Sequence, residues 1–346
     1  MNQILKLSAM LATVLSFTGC SSTTVEEIAK QGEVSNTVTI TAKAPVYTTR
    51  ATSDMMLRYE AFLFKDDGSK ATDFIAAQEQ LDGNGLNNGT FSGTNFSFEV
   101  EESGNYVILF VADYISTSET QKKKNLWVNG ANITLENAYD DVNYILELNT
   151  KGTQRLKATF KENPYNNDNY EVFTGKVTFT KGNDRLDLST TTLKRPVCKV
   201  TIQEKDEGPV TSLKTSITKA NIGYKYDLYN QKVVAPDYDD ELDAEENSFI
   251  QKDILPANPD NNELFYFYAF ANAGDAETTI ADGGLAFTLT GGQVDFKHTI
   301  PADKLKFKPN YKYILKGNFV RKDMGQVNIK VIAGSDWDSD GTDVDI

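Results

Sequence analysis

Asn95-Phe96-Ser97-Phe98-Glu99-Val100, a turn at Ser103-Gly104-Asn105, and Tyr106-Val107-Ile108-Leu109-Phe110-Val111-Ala112 decide the class of this chain. The first segment alternates without a fault, which sets Phe96, Phe98 and Val100 on one face of a half-buried strand. Gly and Asn at the turn tolerate positive φ, so the chain can reverse there. The continuous apolar run that follows suits a central strand covered on both faces.

Working outward, the same period of two recurs on both sides. Thr37 to Ala44 alternates, with Val38, Ile40 and Ala42 on one face and Thr39, Thr41 and Lys43 on the other. Leu57 to Phe64 reads as a strand that begins half exposed and becomes apolar on both sides. Asp82-Gly83-Asn84-Gly85 through Asn88-Gly89 is turn chemistry. Val142 to Leu148, Arg155 to Lys161 and Gly175 to Thr180 read as further strands, and Ser189-Thr190-Thr191-Thr192 as a linker. Beyond it, Pro196 is tolerated only at the start of a strand, so Val197 to Gln203 opens a second unit. Leu264-Phe265-Tyr266-Phe267-Tyr268-Ala269-Phe270 is the most aromatic strand and should form its core. Gln293 to Ile300, Tyr311 to Val320 and Gln326 to Ala333 complete an all-β pattern. No amphipathic helix longer than two turns is expected after the N-terminal segment. The expected fold is two antiparallel β-sandwiches in series.

The bulk numbers bound the function. A net charge of −14 argues against nucleic acid, since phosphate binding needs clustered Lys and Arg. His298 is the only histidine, on a strand face with Val294, Phe296 and Ile300. A core or rim histidine is therefore favoured over a base, and Ser-His, Cys-His and zinc chemistry lack their residues. Cys198, in the alternating Cys198-Lys199-Val200-Thr201-Ile202, reads as a buried and inert thiol. Catalytic residues, metal and cofactor are thus expected to be none. Paired carboxylates for glycoside hydrolysis leave no mark in sequence and stay open as a third reading. Asp336-Trp337-Asp338-Ser339-Asp340-Gly341 spells the start of a calcium loop, but the chain ends before the twelfth-position acid, and a solvated acidic tail is expected.

The N-terminus carries Lys6, then an apolar run from Leu7 to Phe17 that is shorter than the about 20 residues of a membrane-crossing helix. Gly19-Cys20 and the polar Ser21-Ser22-Thr23-Thr24 follow. This is similar to a bacterial lipoprotein signal, in which Cys20 becomes the acylated first residue; an ordinary secretory signal with a chance cysteine is the alternative. Ser21 to Ser35 is a polar tether. Tyr47 to Ser53 reads as an exposed linker carrying Arg50, a suitable cleavage point for an Arg-specific protease or a surface arginine of no consequence.

Several segments, in order, resemble one family. Gly104-Asn105-Tyr106 through Ala112-Asp113-Tyr114 is similar to a strand of fimbrillin-like lipoproteins of Bacteroides-type bacteria. Leu193-Lys194-Arg195-Pro196-Val197-Cys198-Lys199-Val200 resembles the strand opening their second domain. Asn310-Tyr311-Lys312-Tyr313-Ile314-Leu315-Lys316-Gly317, then Val327 to Ile332 and Trp337, resembles their closing strands. The resemblance implies a subunit of a type V pilus with two transthyretin-like sandwiches, exported as a lipoprotein to the outer membrane. It implies cleavage between Arg50 and Ala51, removal of the strand bearing Val38, Ile40 and Ala42, and donor-strand exchange with other pilus subunits. The expected segments are a signal peptide over 1–19, tether plus removable strand over 20–50, and sandwiches over 51–192 and 193–346. Lipid on Cys20 would hold the precursor on the membrane through the piece that cleavage discards. Val344 and Ile346 are thin for a donor segment, so a tip, anchor or accessory subunit fits as well as a stalk subunit. A non-polymerising surface lipoprotein that binds a glycan or host ligand, with Trp127 as platform, is the alternative.

Overall fold

The computed structural model describes residues 36–45, 55–82, 93–116, 144–148, 156–160, 171–205, 213–218, 222–234, 248–254, 262–274, 278–279, 284–291, 294–320, 327–333 and 342–345. In chain order the strands begin with β1 (Thr37–Lys43), β2 (Met55–Asp66), β3 (Ala71–Asp82), β4 (Thr94–Glu99), β5 (Gly104–Ser116) and β6 (Tyr144–Leu148). They continue with β7 (Leu156–Phe160), β8 (Val172–Lys181), β9 (Leu186–Asp187), β10 (Thr191–Thr192), β11 (Val197–Glu204) and β12 (Leu213–Thr218). Next come β13 (Lys225–Asp227), β14 (Lys232–Val233), β15 (Ser248–Ile254), β16 (Glu263–Phe270), β17 (Thr278–Thr279) and β18 (Leu285–Gly291). The last are β19 (Val294–Ile300), β20 (Lys306–Phe307), β21 (Tyr311–Gly317), β22 (Asn328–Ala333) and β23 (Thr342–Asp345). Among the described residues the one helical segment is a 3-10 turn at Ala302–Lys304. The fold is all-β and built mainly on antiparallel sheets.

Two sheets form the N-terminal part. One runs β10-β1-β4, with β9 also paired to β1, and the other runs β3-β2-β5-β8. Period two explains how the second sheet is covered twice. Leu57, Tyr59, Ala61 and Leu63 of β2, with Tyr106, Ile108, Phe110 and Ala112 of β5, face the core shared with β1 and β4. The intervening Phe62, Phe64, Val107, Leu109 and Val111 join a larger core shared with the C-terminal strands. The unbroken apolar run of β5 is therefore the signature of a strand buried on both faces, as expected.

Arg58 departs from expectation. The start of β2 read as half exposed, yet Arg58 is fully buried, beside Asp113 of β5. Its Nε donates to Asp113 Oδ1 at 2.8 Å and its Nη2 to Oδ2 at 2.6 Å. This two-pronged pair supplies the countercharge that lets a guanidinium sit there.

The C-terminal part is organised on β11, flanked by β16 antiparallel and β21 parallel in the sheet β16-β11-β21-β22-β23. Val197, Cys198, Val200 and Ile202 are buried against the aromatic β16, as the pattern predicted. A second sheet, β15-β12-β18-β19, adds Ile217, Leu285, Phe287, Leu289 and Ile300 to the same core. A third, β14-β13-β7-β6, pairs Leu156–Phe160 with Lys225–Asp227.

One further expectation is corrected. The linker-like Thr191–Thr192 is a strand, hydrogen-bonded in parallel to β1. Leu193 is buried in the N-terminal core and Val197 in the larger core. At the C-terminal end Thr342–Asp345 adds a strand to the sheet edge, with Val344 opposite Ile329.

Candidate functional site

The first candidate is the seat of β1. Val38, Ile40 and Ala42 are exposed by no more than 2% and pack into the N-terminal core. On one side β1 pairs with β4 over six residues, Val38 opposite Phe98 and Ile40 opposite Phe96. On the other it pairs with β9 and β10, and Leu188 and Leu193 donate their amides to Thr39 and Lys43 carbonyls at 2.8 Å each. β1 is thus an interior strand, although it comes first in the described chain. Its outward hydroxyls are engaged as well. Thr37 donates to Glu99, Thr39 to Asp187 and Thr41 to Asn95. The Thr39 hydroxyl and then Arg185 hold the Asp187 carboxyl below the usual carboxylate range. Just past the strand, the Ala44 amide donates to the Tyr59 hydroxyl at 3.1 Å.

The second candidate was not visible in the sequence. A cleft of about 510 Å³ opens between β8, the segment from Thr191 to Pro196, and the turn at Asn230-Gln231-Lys232. Lys176, Lys194, Arg195 and Lys232 line it, and no carboxylate does among the described residues. These cations come from three separated stretches with no common period, so only the fold brings them together. Two of them are committed. Arg195 is buried, with Nη2 on the Glu171 carboxylate and Nη1 donating to Asn310 Oδ1. The Lys176 ammonium lies 3.4 Å from the centre of the Tyr229 ring, and burial pulls its pKa down despite the nearby Asp66 and Asp227. Lys194 and Lys232 are exposed and have no carboxylate partner among the described residues. Gly175 sits in the wall because Leu193 presses against it; a Cβ there would fall 2.6 Å from Leu193 Cδ2.

The remaining sequence candidates are placed as follows. Cys20, Arg50, Ala51, Trp127 and the 336–341 stretch lie outside the described residues. His298 is buried, bonded through Nε2 to the Phe319 carbonyl and set between the Phe287 and Phe319 rings. Burial lowers its pKa. Cys198 is a free, fully buried thiol whose pKa burial pushes far up, so it is a packing residue. Among the described residues no three His, Cys, Asp or Glu are grouped to hold a metal ion, and no helix is long and apolar enough to cross a membrane.

Residues 26–346 match a family of unknown function (DUF6562). The chain belongs to the DUF6562 family. No curated protein matches this DUF6562 member. Among solved structures it is similar to the fimbrial anchor protein Mfa2 from Porphyromonas gingivalis, at 11% identity over 86% of this chain and 98% of that one, with a TM-score of 0.46. It is also similar to the tip fimbrial protein Mfa3 from Porphyromonas gingivalis with C-terminal truncation, at 14% identity over 86% and 99%, TM-score 0.40. A third is a fimbrial assembly protein from Parabacteroides distasonis, at 13% identity over 90% and 97%, TM-score 0.38.

Proposed function

We propose that this protein is a structural or accessory subunit of a cell-surface fimbria, exported as a lipoprotein on Cys20 and assembled by strand exchange after cleavage between Arg50 and Ala51. The observation that carries this reading is the position of β1. It is an interior strand whose Val38, Ile40 and Ala42 fill the core, yet nothing of the chain's described fold precedes it. A cut after Arg50 separates it covalently from every other described strand. Its departure would open β4 on one side and β9 with β10 on the other, above an apolar floor of Tyr59, Ile108 and Phe110. An unpaired edge over an apolar groove is a strong template for strand addition from a second chain. Val38 and Ile40 each contribute about 1.5–3 kcal/mol by burial, so a replacement strand must present apolar residues at the same alternate positions.

The test is Arg50→Ala expressed in cells that assemble the fimbria. The reading expects surface extracts of the wild type to contain polymers that persist in detergent, and those of the variant to contain only the uncleaved monomer. Polymers in undiminished yield from Arg50→Ala would overturn it.

A further inference from the structure

We propose that the basic cleft between β8, Thr191–Pro196 and the Asn230–Lys232 turn binds a carboxylated sugar unit of an acidic polysaccharide. The cleft meets the seat of β1 at Thr191 and Thr192, but its four cations take no part in the strand exchange proposed above.

Charge is the first argument. The chain carries a net charge of −14, yet among the described residues this cleft is lined by four cations and no acid. Glu171 neutralises Arg195 within the protein, and Lys176 is drawn onto the Tyr229 ring. Lys194 and Lys232, exposed and from separate stretches of the lining, are left for an external anion. They are anchored by backbone rather than by side chain: Lys194 exchanges both backbone hydrogen bonds with Thr174, at 2.8 and 2.9 Å, and Lys232 pairs with Asp227. The ammonium groups can therefore meet a ligand without disturbing the fold.

Size and lining chemistry narrow the class. A cleft of about 510 Å³ falls in the range of small-molecule sites and suits one or two sugar rings. Hydroxyl and amide groups from Thr191, Thr192, Asn230 and Gln231 can both donate to and accept from sugar hydroxyls. The half-buried Pro309 offers apolar surface for the C–H side of a ring. A peptide strand meets an obstacle at Thr174, where Lys194 is already bridged to the edge of β8. A nucleic acid strand would need a longer basic track than this cleft provides.

The test is isothermal titration calorimetry on the full chain at 50 mM salt, using trigalacturonate, neutral maltotriose and sodium sulfate as probes. Trigalacturonate is expected to bind with at least tenfold higher affinity than maltotriose, and to weaken at least tenfold in 500 mM salt. The Lys194→Glu/Lys232→Glu variant should lose at least tenfold while its far-UV circular dichroism stays unchanged. Should that variant fold poorly, Lys194→Gln and Lys232→Gln taken singly are each expected to weaken trigalacturonate about threefold or more. Absence of trigalacturonate binding, equal binding of both sugars, or unchanged affinity in the charge variants would overturn the proposal. Displacement of trigalacturonate by equimolar sulfate would also overturn it, by reducing the site to an anion hole without sugar contacts.

Discussion

The amide of Leu193 donates to the carbonyl of Lys43 at 2.8 Å. This bond ties the end of β1 to the segment that closes the N-terminal core and then lines the basic cleft. Leu193 itself is fully buried, and the neighbouring Thr191 and Thr192 lie in register with Ala42 and Lys43. β1 is therefore held by the latest part of the N-terminal sheets in sequence as well as by β4. A strand added in place of β1 would have to satisfy both neighbours.

Because Ile40 faces the core and Thr41 faces out, their substitutions should differ sharply. In the uncleaved chain Ile40→Ala is expected to cost about 2–5 kcal/mol, the range for emptying a packed site. Thr41→Val should stay within about 0.5 kcal/mol. Urea unfolding monitored by circular dichroism reads both. Equal effects would mean that β1 is not packed as described.

The buried Arg58–Asp113 pair gives a second contrast. Asp113→Ala removes the two-pronged partner of a guanidinium with no exposure to water, and such a break costs about 3–5 kcal/mol. Arg58→Met with Asp113→Leu removes both charges and should recover most of that loss. Thermal melts of the single and double variants test it; a double variant as unstable as the single one would contradict it.

Much of this architecture is legible in the sequence where one face or both faces of a strand are buried. β1 and β4 show clean alternation because the other side of their sheet meets water, and β5 shows none because it is covered twice. β3 is not legible. Ala76-Ala77-Gln78-Glu79-Gln80 carries no period of two, since β3 is an edge strand with partly exposed positions on both faces, Ile75 and Leu81 among them. Arg58 looked exposed because its partner lies 55 residues away and sequence order does not show pairing. The cleft fails to show for the same reason, as Lys176, Lys194 and Lys232 converge only through tertiary structure.

Close backbone approach makes Gly223 hard to replace. A Cβ there would lie 2.2 Å from the Phe270 carbonyl oxygen, on a strand locked into the C-terminal core. Gly223→Ala should lower stability by about 1–3 kcal/mol, as overpacking does. Gly182→Ala, with open space around it, should leave the melting temperature nearly unchanged.

Acid sensitivity should trace in part to His298. Its pKa in the fold is lowered, chiefly by burial, with the Phe319 carbonyl and Glu204 opposing. The unfolded chain, with an ordinary histidine near pH 6.5, therefore binds the proton first. This contribution is present above pH 6.5 and is lost as pH falls through the folded value. Urea midpoints at pH 8 and pH 5.5 should fall more for the wild type than for His298→Gln. The same fall in both would remove His298 as the cause.

The central claim, that β1 is a temporary occupant of its seat, is tested most directly by the N-terminal residue of the protein taken from the cell surface. Intact-mass and peptide mass spectrometry should find a chain beginning at Ala51, with residues 20–50 absent from the assembled fraction. A surface protein whose sole N-terminus is lipid-modified Cys20, with β1 still covalently joined, would contradict the account.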